Sequence, residues 1–290
     1  MRGAGGRRRA GAPASRHRRR LGQHFLVNGR VAARIVGCAE LDARPAVLEI
    51  GPGRGALTDH LRRATDRLYL VEIDRRLAQA LRQRYAADDA VSIIEGDILE
   101  VDLTGLLAER VHVVGNLPYR IASQILLKLL DARERCPLVV VTVQEEVARR
   151  LGAHPGGHDY GVLTLLVQLY AEVERCFAIA PGSFAPPPQV GSAAVRLRLR
   201  PEPRVPVADP GVFRHLVRSL FQHRRKMVRT TLADALDALG VDRGASAAIL
   251  DEVGVDPRDR PERIALDQFA RLTGATVARL SGVADRGRVA

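Results

Sequence analysis

The chain has 290 residues, 46% of them apolar, enough for one sizeable core with a smaller appended domain. No apolar run reaches the ~18–20 residues of a membrane span, and no signal-peptide core follows the N-terminal charges, so the expectation is a soluble, cytoplasmic protein without membrane association. Net charge is +12, but eight of the 45 cations lie in residues 1–20, which hold no acid, and the remainder carries only +4.

Lysine appears only at Lys128 and Lys226. Such an arginine bias suits a GC-rich genome, so where the charge sits says more about nucleic-acid binding than its total. Residues 1–20 read as a disordered basic arm suited to electrostatic attachment to RNA. An Arg-rich, acid-free composition also describes a transit peptide, against which the scarcity of serine counts. Cys38, Cys136 and Cys176 are isolated, with no C-x-x-C and no histidine at ligand spacing. They are expected to be buried thiols, outside any disulfide or metal site.

Leu21-Gly22-Gln23-His24-Phe25-Leu26 precedes a helical pattern at Val31, Ile35 and Val36. Ala46–Ile50 is a short apolar strand running into Glu49-Ile50-Gly51-Pro52-Gly53-Arg54-Gly55, with a helix predicted from Ala56. Strand, glycine turn and helix form a nucleotide-binding arrangement, because glycines admit close backbone approach to a ligand. The spacing is G-x-G-x-G with an acid, Glu49, two residues before Gly51; it is not G-x-G-x-x-G, which argues against NAD or FAD. Leu68–Glu72 is the next strand, ending in Glu72-Ile73-Asp74, and an acid at that point can take both hydroxyls of a ribose. Val91–Ile94 is a third strand, followed by Asp97-Ile98, where Asp97 can accept from an adenine amine. Taken singly, each acid is better explained as a helix cap or a surface charge. Together with Asn116, each at a successive strand end, they form a far more specific set.

The strand Val111–Val114 ends in Gly115-Asn116-Leu117-Pro118-Tyr119. In a doubly wound sheet this turn lies where ligands bind. An Asn side-chain oxygen and the Leu117 or Pro118 carbonyls accept hydrogen bonds, Pro118 stiffens the turn, and Tyr119 offers a ring for stacking. The set suits a planar group bearing an exocyclic amine, such as adenine. Helices are predicted over Ile121–Leu130, Glu145–Leu151 and Leu163–Tyr170, and a strand over Leu138–Gln144. His154 and His158, in the loop 152–161, are expected to be solvated. Glu172–Ile179 and Ala193–Leu199 read as a closing antiparallel pair. Between them lies a Pro-rich loop, either a plain connector or a segment whose Phe184 faces the site as a second stacking surface.

Residues 201–208 are Pro-rich and polar, a domain boundary by composition. Amphipathic helices follow over Val212–Gln222 and roughly Lys226–Leu239, with short ones to about Leu280. At their heart Phe221 stands beside Arg224, Arg225, Lys226 and Arg229, an aromatic among cations that suits RNA phosphate contact.

Read together, G-Q-H-F-L, E-I-G-P-G-R-G, E-I-D, G-D-I-L, N-L-P-Y, Q-E-E-V-A-R-R, D-Y-G-V-L-T, S-F-x-P-P-P-x-V-x-S and F-x-x-R-R-K resemble, in family order, the rRNA adenine dimethyltransferases. The likeness is greatest to the KsgA type, which acts on small-subunit (16S) rRNA. The resemblance implies an α/β fold: a Rossmann-like, mostly parallel seven-stranded methyltransferase sheet over residues 21–202, with a small helical RNA-binding domain over 203–290. It implies S-adenosylmethionine as cofactor and N6,N6-dimethylation of two adjacent adenosines near the 3′ end of the rRNA during ribosome assembly, by a monomer. Carried over, Gly51 and its turn hold the cofactor's methionine end, Glu72 takes the ribose hydroxyls and Asp97 the adenine amine. Glu49, Gly53, Ile73 and Ile98 belong to the same cofactor-binding set. His24, Leu26 and Asn116 complete that pocket. The catalytic set is Asn116, Leu117, Pro118, Tyr119 and Phe184, with no metal.

Two departures stand out. The family usually carries Asn at the position of His24; a backbone contact survives that change and a side-chain amide contact does not. It commonly has Asn in place of Thr230 or Thr231. A sister branch methylates large-subunit rRNA and confers macrolide resistance, but it often replaces the Asn-Leu before Pro-Tyr and generally lacks F-x-x-R-R-K. A non-catalytic assembly factor would have no use for Gly51, Glu72, Asp97 and N-L-P-Y. A DNA or protein methyltransferase would not need the C-terminal motifs.

Overall fold

The computed structural model describes residues 24–107 and 109–286. The basic arm and Leu21 to Gln23 lie outside the described residues. Two short strands, β1 (Phe25–Leu26) and β8 (Phe184–Ala185), pair with each other, and seven more form one sheet, in the order Val91–Glu95 (β4), Leu68–Glu72 (β3), Ala46–Ile50 (β2), Val111–Asn116 (β5), Leu138–Gln144 (β6), Ser192–Leu199 (β9) and Ala171–Ile179 (β7). The strands β2 (Ala46–Ile50), β3 (Leu68–Glu72), β4 (Val91–Glu95), β5 (Val111–Asn116) and β6 (Leu138–Gln144) run parallel. The strands β9 (Ser192–Leu199) and β7 (Ala171–Ile179) close the sheet as an antiparallel pair, with a bulge between Arg175 and Phe177. The sheet is thus mostly parallel, as the resemblance implies.

β2, β3 and β6 read as near-continuous apolar runs because a sheet covered on both faces buries successive side chains alternately on opposite sides. Leu48, Ile50, Val113, Val139 and Val141 face one layer, packed by Ile125, Leu126 and Leu129 of α5 (Ala122–Asp131) and by Val147 and Leu151 of α6 (Glu145–Leu151). Val47, Leu70, Val114 and Val140 face the other. They pack with Ile35 of α1 (Gly29–Gly37), Leu61 of α2 (Thr58–Ala64) and Leu81 of α3 (Arg75–Arg84). A one-turn helix, α4 (Leu103–Leu106), follows β4.

The chain starts the sheet at β2, works outward to β4, then returns to lay β5 on the other side of β2. That reversal leaves a crevice at the carboxyl ends of β2 and β5. Gly115 lets the two strands approach there: a Cβ at this position would stand 2.8 Å from the Ile50 carbonyl oxygen.

A third apolar cluster joins α7 (Val162–Tyr170) to the C-terminal helices α8 (Pro210–Gln222), α9 (Val228–Asp237), α10 (Ala245–Val253) and α11 (Leu266–Arg286). The Pro-rich segment 201–208 is therefore not where the cores divide. Tyr160, Leu165, Leu166 and Leu169, all upstream of it, pack with Phe213, Leu216 and Phe269 beyond it. The last helix is 21 residues long, not one of several short ones. α9 begins at Val228 with Met227 as its cap, two residues after the start predicted from the sequence. Among the described residues no helix is long and apolar enough to cross a membrane. Cys136 is buried, whereas Cys38 and Cys176 are only half-buried because they sit at the end of α1 and on the edge strand β7. His154 and His158 are solvent-exposed.

Candidate active site at the switch point of the sheet

A cavity of about 520 Å³ opens at this crevice, within the ~300–1,000 Å³ usual for small-molecule sites. Its wall takes one contribution from each of four parallel strand ends: Gly51 and Gly53 after β2, Glu72 and Ile73 at β3, Asp97 and Ile98 after β4, and Asn116 to Tyr119 after β5. Residues scattered over more than sixty positions of sequence converge because a parallel sheet carries all its strand ends to one edge.

Gly51, Gly53 and Gly55 have φ of +66°, +57° and +84°, so the turn folds back on itself as L side chains rarely allow. A Cβ at Gly53 would stand 3.0 Å from the Phe25 ring. Glu72 is 2% exposed, and its two oxygens accept from the main-chain N–H of Gly53 and of Asp74, both at 2.9 Å. Burial raises its carboxyl above the ordinary value, while those hydrogen bonds oppose the rise. Each oxygen keeps acceptor capacity for a further donor. Asp97 Oδ1 accepts from Leu99 N–H at 2.9 Å, so this residue both caps its turn and lines the cavity. Ile73 is 46% exposed, an unusual state for isoleucine that presents a flat apolar surface at the cavity beside Ile98.

Asn116 is held at both ends of its amide. Nδ2 donates to the His24 carbonyl at 2.9 Å, and Oδ1 accepts from the Thr142 hydroxyl at 2.5 Å. The Pro118 carbonyl accepts from Ile121 N–H at 3.1 Å, which leaves it one lone pair. Tyr119 shares a hydrogen bond with Ser192 at 2.7 Å, and burial raises its phenol above the ordinary value. The His24 ring stacks on Tyr119 with centroids 5.3 Å apart, and its Nδ1 meets the Pro186 carbonyl at 2.7 Å.

Three residues chosen from the sequence do not line this cavity. Strand β1 (Phe25–Leu26) pairs antiparallel with β8 (Phe184–Ala185), with Leu26 opposite Phe184. Successive side chains on a strand point to opposite faces, and cross-strand partners share a face. Phe25 turns to the cavity, so Leu26 and its partner Phe184 turn into the core, where they are 5% and 3% exposed. In this structure Phe184 offers no face to the site. Glu49 points the same way as Val47, under the glycine turn, where its Oε2 accepts from the Thr58 hydroxyl at 2.7 Å. It is 1% exposed, and burial, reinforced by the charges of Glu72 and Asp59, pushes its carboxyl up to about 8.

Phe25, Arg120 and Gln124 line the cavity without having been singled out from the sequence. Phe25 was legible only as half of an apolar pair, and nothing local marks which half faces the site. In the F-x-x-R-R-K segment, Phe221 is a core anchor, stacked on Phe269 at 6.2 Å. Arg224 bonds Glu262 at 2.5 Å and the Gly157 carbonyl at 3.2 Å, tying the loop 152–161 to the turn Pro261–Arg263. Arg225, Lys226 and Arg229 are exposed.

A model of the ribosomal RNA adenine dimethylase family matches residues 14–273. The chain belongs to that family. It is thereby an enzyme, an rRNA adenine dimethyltransferase. It is 42% identical over 267 residues to the ribosomal RNA small subunit methyltransferase A of Geobacter metallireducens, covering 91% of this chain and 96% of that one. With the protein of the same name from Acidobacterium capsulatum it shares 40% over 280 residues, 94% of this chain and 97% of the other. A crystal structure of a dimethyladenosine transferase from Plasmodium falciparum has the same fold, with a TM-score of 0.76 at 23% identity over 88% of this chain and 98% of that one. The 23S rRNA methyltransferase ErmE is similar with a TM-score of 0.65 at 29% identity, covering 87% and 99%.

Proposed function

We propose that this chain dimethylates N6 of two adjacent adenosines near the 3′ end of small-subunit rRNA, with S-adenosylmethionine as methyl donor. The observation that carries the reading is the convergence of Asn116-Leu117-Pro118-Tyr119 with Gly51, Glu72 and Asp97 on one cavity. The names of the two bacterial relatives support the small subunit as substrate.

The residues suit that cofactor. A left-handed glycine turn admits close approach of its methionine end, Glu72 has acceptor capacity for two ribose hydroxyls, and Ile73 and Ile98 offer apolar surface for its adenine, whose amine Asp97 accepts. When bound, S-adenosylmethionine supplies an electrophilic methyl on sulfonium sulfur.

The chain's own work is positioning, which can account for ~7–11 kcal/mol of a barrier. The target adenine leaves its stack, and Tyr119 receives it; base–aromatic stacking contributes ~1–3 kcal/mol. Asn116 Oδ1 and the free lone pair of the Pro118 carbonyl accept the two N6 hydrogens. That draws N6 toward tetrahedral geometry and frees its lone pair. The N6 lone pair would then be aimed at the methyl that the cofactor would supply, and the amine proton would pass to solvent. Arg225, Lys226 and Arg229 engage rRNA phosphates on the helical side.

The test is methyl transfer from labelled cofactor to small subunits lacking the modification, with large-subunit RNA in parallel and products read by mass spectrometry. Dimethyladenosine in small-subunit RNA alone is the expected result. Label in large-subunit RNA, or tight subunit binding without transfer, overturns the reading.

A further inference from the structure

We propose that Thr142 is a positioning residue for the methyl transfer, its hydroxyl holding the Asn116 amide with Oδ1 presented to the target amine. The inference rests on the role given to Asn116 above. Thr142 and Asn116 are direct partners in the parallel β5–β6 ladder, so their side chains rise on one face of the sheet. The Thr142 hydroxyl reaches Asn116 Oδ1 at 2.5 Å, and the Thr142 carbonyl accepts from Leu117 N–H at 3.2 Å. One residue thus holds both the amide and the turn that follows it.

The sequence around Thr142 sharpens the point. It interrupts a run of valines, Val139 to Val143, in a strand buried on both faces, and it is itself 0% exposed. Valine would fill the same space. A buried hydroxyl carries a desolvation cost unless it is bonded, and this one spends its hydrogen on Asn116. Its neighbour on the other side, Ala194 of β9, offers no side-chain acceptor.

An asparagine amide is nearly free to turn end for end, because its terminal torsion is broad. Turned over, it would offer N–H donors to a target amine that is itself a donor. Here the His24 carbonyl can only accept, so it selects Nδ2, and Thr142 then donates to Oδ1. One Oδ1 lone pair is taken by Thr142, and the other is left for one N–H of the target. After the first methylation the amine has a single N–H, so the second round depends most on a correctly aimed acceptor.

The test compares Thr142→Val with Thr142→Ser and Asn116→Ala. Measured are cofactor and rRNA affinity, kcat, and the ratio of monomethyl- to dimethyladenosine. Thr142→Val should bind both ligands as the parent does, lose about 10- to 100-fold in kcat, and release monomethyladenosine; Thr142→Ser should restore kcat and product ratio together. Parent-like kcat and product ratio in Thr142→Val, with Asn116→Ala inactive, overturn this inference alone. Near-parent activity of Asn116→Ala overturns the reading of Asn116 itself. Weakened cofactor binding by Thr142→Val that serine does not restore makes the residue a packing element and also overturns the inference.

Discussion

Glu49→Gln should stabilise the fold progressively more as pH rises from about 5 to about 8. Glu49 is buried beneath the glycine turn, and its carboxyl is pushed from the ordinary 4.5 to about 8 by burial, against the Thr58 hydrogen bond and with help from the Glu72 and Asp59 charges. A carboxyl raised in this way keeps its proton in the folded chain where the unfolded chain has lost it. Between the two values the folded state holds the extra proton, so the unfolding free energy falls as pH rises; below the unfolded value there is no cost, and above the folded value the cost is constant. The slope for one site is about 1.4 kcal/mol per pH unit. From about pH 5 to about pH 8 it amounts to at most about 4 kcal/mol. Glutamine copies the neutral shape and keeps an acceptor for Thr58, without the ionisation. Glu72 is shifted the same way in both proteins and largely cancels in their difference. Urea unfolding of parent and variant at both ends of the pH window measures the effect. A difference in stability that does not grow with pH, or a variant less stable than the parent at the alkaline end, refutes the reasoning.

Glu72→Gln keeps the shape but replaces one acceptor oxygen by a donor that faces the Gly53 or Asp74 N–H; cofactor affinity by calorimetry should fall at least about tenfold, and unchanged affinity would remove Glu72 from the ribose site. Phe184→Leu should cost about 1–2 kcal/mol of stability as a core truncation, with KM for rRNA unchanged. A KM rise of tenfold or more would mean that Phe184 leaves the core to stack on the target base. Arg225, Lys226 and Arg229 changed together to Ala should flatten the salt dependence of rRNA binding by a slope of about two to three, whereas Arg224→Ala should lower stability through its lost Glu262 contact. An unchanged slope in the triple variant puts the phosphate contacts elsewhere.

The sequence alone specified the parallel strands and the line of polar residues at their ends. Both are local matters. Ala46–Ile50, Leu68–Glu72 and Leu138–Gln144 are apolar runs that only a doubly covered sheet explains, and the glycine turn, Glu72, Asp97 and N-L-P-Y each sit where such a strand stops. Tertiary structure decided which of two adjacent side chains faces the site. Pairing of β1 with β8 turned Phe25 to the cavity and sent Leu26 and Phe184 into the core; pleat and register do this, and neither is written in a two-residue strand. It decided that Glu49 lies under the turn rather than in the pocket, and that Arg224 and Phe221 hold the helical domain together. It also brought Thr142 beside Asn116 across 26 residues of chain, since the partner of a hydroxyl is set by the ladder and not by its neighbours in sequence.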